Sequence, residues 1–308
     1  MSSSISRRQF LTLLGGSLAV TAVGTTPLSL QSPSPSPTPA DASPPPAESS
    51  PFKVGVLTDE IGQDFERACR IAAREFRVSW VELRNLWDKS ILDLDRQEME
   101  EARRILKRYG LQVSSIAGPL FKTSWPGVPN MKGKAPDQRE AAEIFARQEQ
   151  VLRREIELAQ FFETRHIRAF DFWRLRDPAP GDLAAIHEKL FEAAEKAGHH
   201  GLTLVLENEH GCNTATADDI LRTLEAVKSP FFKLNWDPGN AFFSGDVPFP
   251  DAYRRIPVDR IGHMHCKDAV KKPDGRYEWA AMGQGEIDYV GQFRALLEEG
   301  FTGPVVLE

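Results

Sequence analysis

Four short apolar runs, each ending near a residue that can bind a metal ion, constrain the fold of this chain most strongly. Three of the runs end in a carboxylate, at Glu207, Asp237 and Glu308. The fourth contains two histidines two residues apart, His263 and His265. Residues two apart on a strand face the same side of a sheet, so both imidazoles should point one way. Glu207, Asp237, His265 and Glu308 together would form one metal site of three oxygens and one nitrogen.

The spacing of these runs predicts a (β/α)8 TIM barrel over residues 52–308. Glu207, Asp237 and His265 recur at the interval of one strand–helix unit, roughly 30 residues in barrels of ordinary size. Strands and helices alternate over about 255 residues, close to the typical barrel size of about 250. The predicted strands are 54–57, 80–83, 111–116, 166–170, 202–207, 232–237, 261–265 and 305–308. The predicted helices are 64–76, 96–109, 141–162, 183–197, 217–227 and 288–299.

The predicted barrel places all four metal-ligand candidates on its catalytic face, because active sites of such barrels lie at the C-terminal ends of the strands. A doubly wound open sheet is the alternative architecture, but no glycine-rich phosphate-binding sequence follows the first strand. The chain ends at Glu308, directly after the last predicted strand. We therefore expect either that the sequence is a fragment or that the barrel lacks its eighth helix in this chain.

The N-terminal segment up to position 51 predicts an export signal and a spacer. Arg7 and Arg8 precede a modestly apolar run, and residues 1–26 resemble the twin-arginine signal family; an ordinary secretory signal is the alternative. Residues 27–51 contain nine of the 22 prolines and predict an extended linker. We expect export to the periplasm by the twin-arginine machinery, with a membrane tether if the signal stays uncleaved.

The composition argues against two classes of function. The chain has 38 basic and 44 acidic residues and a net charge of −6, which is poorly suited to binding a phosphate backbone. We expect no nucleic-acid partner. The three cysteines, Cys69, Cys212 and Cys266, lack C-x-x-C spacing and are too few for a disulfide framework.

Aromatic and polar residues after several predicted strands are candidates for substrate contacts. The loop 118–137 carries Trp125, and the segment after the fourth strand carries Trp173. Long loops on this face of a barrel often close over or bind a substrate, and aromatic faces suit a sugar. A loop that merely packs on the barrel is the alternative. Glu82, His210 and Lys267 complete the polar candidates, each with a structural role as its alternative.

Five sequence motifs together resemble the sugar phosphate isomerase/epimerase family, the xylose-isomerase-like TIM barrels. The resemblance spans residues 53–308 and rests on Leu-Glu-Asn at 206–208, Trp-Asp-Pro-Gly-Asn at 236–240, His-Met-His-Cys-Lys-Asp at 263–268, Gly-Gln-Gly-Glu-Ile-Asp at 283–288 and Val-Leu-Glu at 306–308. It implies a divalent metal held by Glu207, Asp237, His265 and Glu308. Relatives isomerise, epimerise or dehydrate sugars, sugar acids and cyclitols.

Asn240 departs from the pattern of this family. It stands where several epimerase relatives have a histidine near the substrate, so the resemblance implies that Asn240 contacts the substrate. An endonuclease branch of the same fold uses three metals and further histidines, which this chain lacks.

The donor set predicts one divalent metal and a proton-transfer reaction. Mn²⁺ is the expected ion, with Mg²⁺, Co²⁺ and Zn²⁺ as alternatives. Glu207 and Glu308 could remove and return a proton on opposite faces of the substrate carbon. We expect a sugar isomerase or epimerase. The alternatives are a lyase or dehydratase, with His210 as an extra acid, and a carbohydrate-binding protein without activity. The sequence leaves the oligomeric state open.

Overall fold

The predicted eight-stranded barrel is confirmed in the computed structural model, which describes residues 50–133, 137–179 and 181–308. All pairings between neighbouring barrel strands are parallel, and the eighth strand closes the barrel against the first. The barrel strands are β1 (Lys53–Leu57), β2 (Trp80–Leu83), β3 (Gln112–Leu120), β4 (His166–Ala169), β5 (Thr203–Glu207), β6 (Phe232–Trp236), β7 (Ile261–Cys266) and β8 (Pro304–Leu307).

The predicted signal region, 1–26, and the predicted linker up to residue 49 lie outside the described residues. Both stay predictions. Among the helices that the structure describes, none is both long and apolar enough to cross a membrane.

Helices follow the strands and cover the outside of the barrel. The main ones are α1 (Phe65–Ile71, continued by a π-helical turn, Ala72–Phe76), α2 (Arg96–Tyr109), α3 (Gln138–Phe161), α4 (Asp182–Gly198), α5 (Ala217–Ala226), α6 (Pro238–Phe243) and α7 (Tyr289–Glu298). A single helical turn, Thr58–Ile61, follows β1. Shorter turns at Ile91–Asp93, Pro248–Ala252, Tyr253–Arg255 and Val258–Arg260 complete the helical segments.

Local sequence determines where α2 begins and ends. Asp95 caps its first turn and forms a capping box with Glu98, which satisfies backbone N–H groups that the helix leaves free. Gly110 ends the helix with a φ of 67°. Glycine adopts this left-handed conformation without steric cost. The predicted bounds, 96–109, are therefore confirmed.

The interior of the barrel is unusually polar for a protein core. Outward-facing strand residues join one large apolar cluster under the helices, whereas Leu57, Ala117 and Val306 form a separate small one. His263 is fully buried, with Nδ1 2.9 Å from Asn235 Oδ1. Burial lowers the pKa of His263 to about 3, so this imidazole is neutral. It has the environment of a hydrogen-bonded core histidine.

The segment after β7 contains regular structure of its own. Asp268–Lys271 and Tyr277–Ala280 form an antiparallel hairpin. Asp268 holds its base, because Oδ2 accepts hydrogen bonds from the backbone N–H groups of Gly283, at 2.9 Å, and Gly285, at 2.8 Å. A Cβ on Gly285 would lie 2.0 Å from Asp268 Oδ1. This close approach therefore requires glycine.

Strand β3 is also longer than predicted. It continues through Gly118 and Pro119 to Leu120, because Gly118 lets the backbone pass close to α3. A Cβ on Gly118 would lie 1.8 Å from Glu155 Oε1. The loop predicted to begin at residue 118 therefore begins at Phe121.

Glu155 supplies a test of this packing through the pH dependence of stability. Burial raises the pKa of Glu155 well above its usual value, and the nearby charge of Arg168 offsets this only in part. Because the native pKa exceeds the unfolded pKa of about 4.3, Glu155 contributes most to stability below that pH and loses its contribution as the pH rises. Relative to the wild type, Glu155→Gln should therefore become progressively more stable from pH 5 to pH 9 in urea unfolding.

The matched control is Glu157→Gln, an exposed position two residues further along α3. A difference in unfolding free energy between Glu155→Gln and the wild type that stays constant over this pH range would contradict the account.

Candidate metal centre and sugar site

The structure brings the four predicted metal ligands together at the C-terminal end of the barrel. Glu207 is the last residue of β5, His265 lies in β7, and Asp237 and Glu308 directly follow β6 and β8. One ligand atom from each lies within 4.8 Å of all the others. His265 Nδ1 lies 2.8 Å from Glu308 Oε2, 3.6 Å from Glu207 Oε2 and 3.9 Å from Asp237 Oδ2.

The chemistry of this cluster fits a divalent cation. Three carboxylates and one imidazole match the hard, mainly oxygen donor sets of Mn²⁺ and Mg²⁺ sites and also accommodate Zn²⁺. His265 Nδ1 is buried and makes no hydrogen bond of normal geometry to any residue that the structure describes. Buried polar atoms usually have a partner, and a metal ion would supply one here. The residues present therefore fit the ion that the fold family implies.

Glu82 lies behind His265 rather than at the surface of the site. Its Oε2 accepts a hydrogen bond from His265 Nε2 at 2.7 Å, and both side chains are fully buried. Glu82 faces His265 in the structure, and the expected substrate contact by Glu82 stays a prediction. Carboxylates that bind the far nitrogen of a metal-ligating histidine fix its tautomer and orientation. Burial opposes ionisation of Glu82, but His265 and His263 lower its pKa to about 2.

Arg168, which the sequence analysis did not single out, balances the charge of Glu207. Its guanidinium donates to Glu207 Oε2 at 3.1 Å and to the carbonyl oxygen of Ala117 at 2.8 Å. Burial opposes ionisation of Glu207, yet Arg168 and His265 hold its pKa below the usual value. The sequence did contain a signal, because Arg168 shares a strand face with His166 in an otherwise apolar strand.

Lys267 contacts the metal-ligand carboxylates directly. Its Nζ lies 2.8 Å from Asp237 Oδ2, 3.1 Å from Glu308 Oε2 and 3.8 Å from Glu207 Oε1. Burial disfavours the charged amine, but these carboxylates, Asp237 foremost, raise the pKa of Lys267 above its usual range. The ammonium group therefore uses the same oxygens that a metal ion would use.

Asn240 and His210 lie beside the ligand cluster, as expected for residues near a substrate. Asn240 Nδ2 donates to Glu207 Oε1 and to Asp237 Oδ2, both at 3.1 Å. His210 Nδ1 lies 2.8 Å from Glu209 Oε1 and 3.4 Å from Asn240 Oδ1. The hydrogen bond to Glu209 raises the pKa of His210, although partial burial opposes this.

The two predicted tryptophans have different environments. Trp125 is only 8% exposed, and its ring packs edge-on against Phe145 and Phe172, with centroid separations of 5.5 Å and 5.0 Å. Trp125 therefore packs in the core, and its expected substrate contact stays a prediction. Trp173 is partly exposed and lies 3.7 Å from the position that a Cβ on Gly211 would occupy. It remains a candidate for substrate binding.

Comparison of the sequence with known proteins identifies a family. The xylose isomerase-like TIM barrel family matches residues 71–308. The chain belongs to this family. Its members include sugar epimerases and dehydratases.

Two curated relatives represent both kinds of enzyme. The inosose dehydratase of Bacillus licheniformis is 28% identical over 139 residues, which cover 39% of this chain and 46% of that enzyme, less than half of its length. The putative L-ribulose-5-phosphate 3-epimerase SgbU of Escherichia coli K12 is 25% identical over 247 residues, covering 75% of this chain and 84% of that protein.

Two solved structures share the fold at low sequence identity. The probable 3-DHS dehydratase AsbF of Bacillus anthracis has a TM-score of 0.66 at 18% identity, with 83% of this chain and 92% of that chain covered. A xylose isomerase-like TIM barrel protein of Mycobacterium smegmatis in complex with magnesium has a TM-score of 0.61 at 20% identity, with 84% and 89% covered.

Removing the ammonium group of Lys267 should strengthen metal binding. In Lys267→Met no ammonium group competes with the ion for the oxygens of Glu207, Asp237 and Glu308. We therefore expect Mn²⁺ to bind about tenfold more tightly, which is an ordinary size for the coupling between two linked interactions. Isothermal titration with Mn²⁺ at pH 8 measures this.

Lys272→Met is the matched control, because Lys272 lies at the end of the same hairpin and pairs with Glu278 instead of the site. Unchanged or weaker Mn²⁺ binding in Lys267→Met would contradict a shared set of oxygens.

Proposed function

We propose that this protein is a divalent-metal-dependent isomerase or epimerase acting on a sugar or sugar derivative by proton transfer. The observation that carries the proposal is the placement of two glutamates, Glu207 and Glu308, from different strands in one buried ligand cluster. Their carboxylates approach His265 from β5 and from the end of β8. A substrate carbon between them could lose a proton to one carboxylate and regain it from the other.

We propose one bound divalent ion, Mn²⁺ in preference to Mg²⁺, Co²⁺ or Zn²⁺. Glu207, Asp237, His265 and Glu308 would hold it. When bound, such an ion would polarise a substrate carbonyl group and stabilise the negative charge that develops on its oxygen. The relative that was solved in complex with magnesium supports a divalent ion in this family.

The protonation states of the two glutamates suit a proton-accepting role. Burial opposes the ionisation of both, but Arg168 and His265 lower the pKa of Glu207, and His265 and Lys267 lower that of Glu308 well below its usual value. Both side chains are therefore ionised at neutral pH and can accept a proton. Arg168 and Lys267 lie beside the same oxygens and hold both carboxylates in the ionised form before the transfer.

Asn240 orients these groups in the proposed mechanism. Its side-chain amide donates to both Glu207 and Asp237, which fixes the two carboxylates relative to each other. Burial of the site limits the access of bulk water to the reactive intermediate, while a proton held by a glutamate can still exchange with solvent between abstraction and return. Preorganised geometry of this kind lowers the cost of reaching the transition state.

A dehydratase is the second candidate, and His210 favours it. Elimination requires an acid that donates a proton to the departing hydroxyl group. His210 is about half exposed, lies beside Asn240, and has a raised pKa because of Glu209. It can therefore carry a proton at the edge of the ligand cluster. The partial similarity to an inosose dehydratase supports this reading.

We also propose that the protein is exported and acts in the periplasm. The support is the pair Arg7 and Arg8 before an apolar run, followed by a proline-rich spacer. Transport by the twin-arginine machinery would deliver the domain already folded.

A reaction in deuterated water distinguishes the candidate activities. The purified, Mn²⁺-loaded protein is incubated with a panel of ketoses, aldoses and inososes, and products are analysed by NMR and mass spectrometry. An isomerase or epimerase that uses Glu207 and Glu308 should place deuterium on the reacting carbon of the product. A dehydratase should give an unsaturated product and return deuterium to recovered substrate.

Glu207→Gln and Glu308→Gln should each reduce turnover by at least about 100-fold, the usual contribution of general acid–base catalysis. Glu225→Gln is the control, since this exposed glutamate on α5 pairs with Lys228 rather than with a residue of the ligand cluster. Complete retention of the original hydrogen, with both glutamine variants near full activity, would refute the two-glutamate mechanism. Sugar binding without turnover by the wild type would instead indicate a carbohydrate-binding protein.

A further inference from the structure

Trp279 is an exposed aromatic residue on the hairpin next to the ligand cluster. Its residue surface is 49% exposed. A partly exposed indole ring is available to contact a bound molecule. One face of the ring stacks on Phe243, with a centroid separation of 3.9 Å and an interplanar angle of 24°. The side chain is thus held in place without being buried.

Trp279 lies close to the side chains of the ligand cluster. Lys267 Nζ lies 5.2 Å from the centre of the Trp279 ring, and the same ammonium lies 2.8 Å from Asp237 Oδ2. Phe243, the stacking partner, is the last residue of α6, and Asp237 caps the start of that helix. The Phe243 ring also lies 5.7 Å from the ring of His210.

Several contacts hold the hairpin that carries Trp279. The hairpin has four paired positions, and Asp268 fixes its base through hydrogen bonds to the backbone of Gly283 and Gly285. Tyr277, two residues before Trp279, packs with its ring centre 5.5 Å from that of Phe243. A flat aromatic surface is therefore presented in a fixed orientation, which reduces the entropy that binding would cost.

We propose that Trp279 is a specificity-determining residue that stacks against the C–H face of a ring-shaped polyol, a pyranose or a cyclitol, bound at the ligand cluster. This inference deepens the proposed function and rests on it. A six-membered ring presents several C–H groups on one face, which match the flat, electron-rich face of an indole. Its hydroxyl groups, directed outward from the ring edge, would remain free to reach the polar residues around Lys267 and Asn240. An open-chain polyol has no such face and gains less from the contact.

Binding of matched ring and chain polyols tests this inference. The Mn²⁺-loaded protein is titrated with myo-inositol and with sorbitol, and dissociation constants are measured by calorimetry and by tryptophan fluorescence. The wild type should bind myo-inositol more tightly than sorbitol. Trp279→Leu should weaken binding of myo-inositol by roughly three- to tenfold, the range measured for aromatic contacts, and leave sorbitol binding nearly unchanged. Trp279→Phe should retain most of the preference, because it keeps an aromatic face.

Phe191→Ala is the control for loss of an exposed aromatic side chain, since Phe191 is 37% exposed on α4. Each variant is also titrated with Mn²⁺ alone, and unchanged affinity shows that the ligand cluster is intact. Equal binding of myo-inositol by Trp279→Leu and the wild type would overturn the inference, as would a wild type that prefers sorbitol. Neither result would alter the outcome of the reaction in deuterated water, so the proposed function is judged separately.

Discussion

Four carboxylates and four side chains that can carry a positive charge meet at this end of the barrel, and their charge balance governs the rest of the site. The carboxylates belong to Glu82, Glu207, Asp237 and Glu308, and the balancing groups are Arg84, Arg168, His265 and Lys267. An unpaired buried charge costs several kcal/mol, so each carboxylate needs a partner. Burial raises the pKa of Asp237 to about 6 even with Lys267 beside it, which shows how concentrated the negative charge is.

Backbone-directed hydrogen bonds position these charges. Asn208 and Asp237 are linked twice, since Asn208 Nδ2 donates to the Asp237 carbonyl oxygen and Asn208 Oδ1 accepts from the Asp237 N–H, both at 2.8 Å. Asp237 then caps α6 by accepting from the N–H of Asn240. Asn208 of the Leu-Glu-Asn motif thus fixes the backbone of Asp237, the residue that supplies the carboxylate of the Trp-Asp-Pro-Gly-Asn motif. Asp268 does the same for the hairpin that carries Trp279.

The sequence predicted the barrel and the ligand cluster because both depend on regular spacing. Strands ending in Glu207, Asp237, His265 and Glu308 converge in any parallel barrel, whatever their other contacts. The orientation of Glu82 could not be predicted in this way, since a strand-end carboxylate can face the substrate or a neighbouring histidine. The choice depends on the register between strands, which shifts by a bulge between Val81 and Glu82.

Long-range packing explains the other differences. Trp125 was expected near the substrate because its loop is long, but Phe145 on α3 and Phe172 after β4 supply an apolar site that buries it. Trp279, in contrast, is exposed. The hairpin that carries it depends on hydrogen bonds from Gly283 and Gly285, 15 and 17 positions along the chain, to Asp268. No local pattern marks a tryptophan as exposed, so its place beside Lys267 emerged only from the structure.

We propose that one metal ion binds between Glu207, Asp237, His265 and Glu308. Crystals grown with Mn²⁺, with diffraction data recorded on both sides of the manganese absorption edge, would locate this ion. We predict one strong anomalous peak per chain, about 2.0–2.3 Å from His265 Nδ1 and from an oxygen of each carboxylate. The absence of a peak in this cluster, or a peak on the Glu82 and His263 side of His265, would contradict the account.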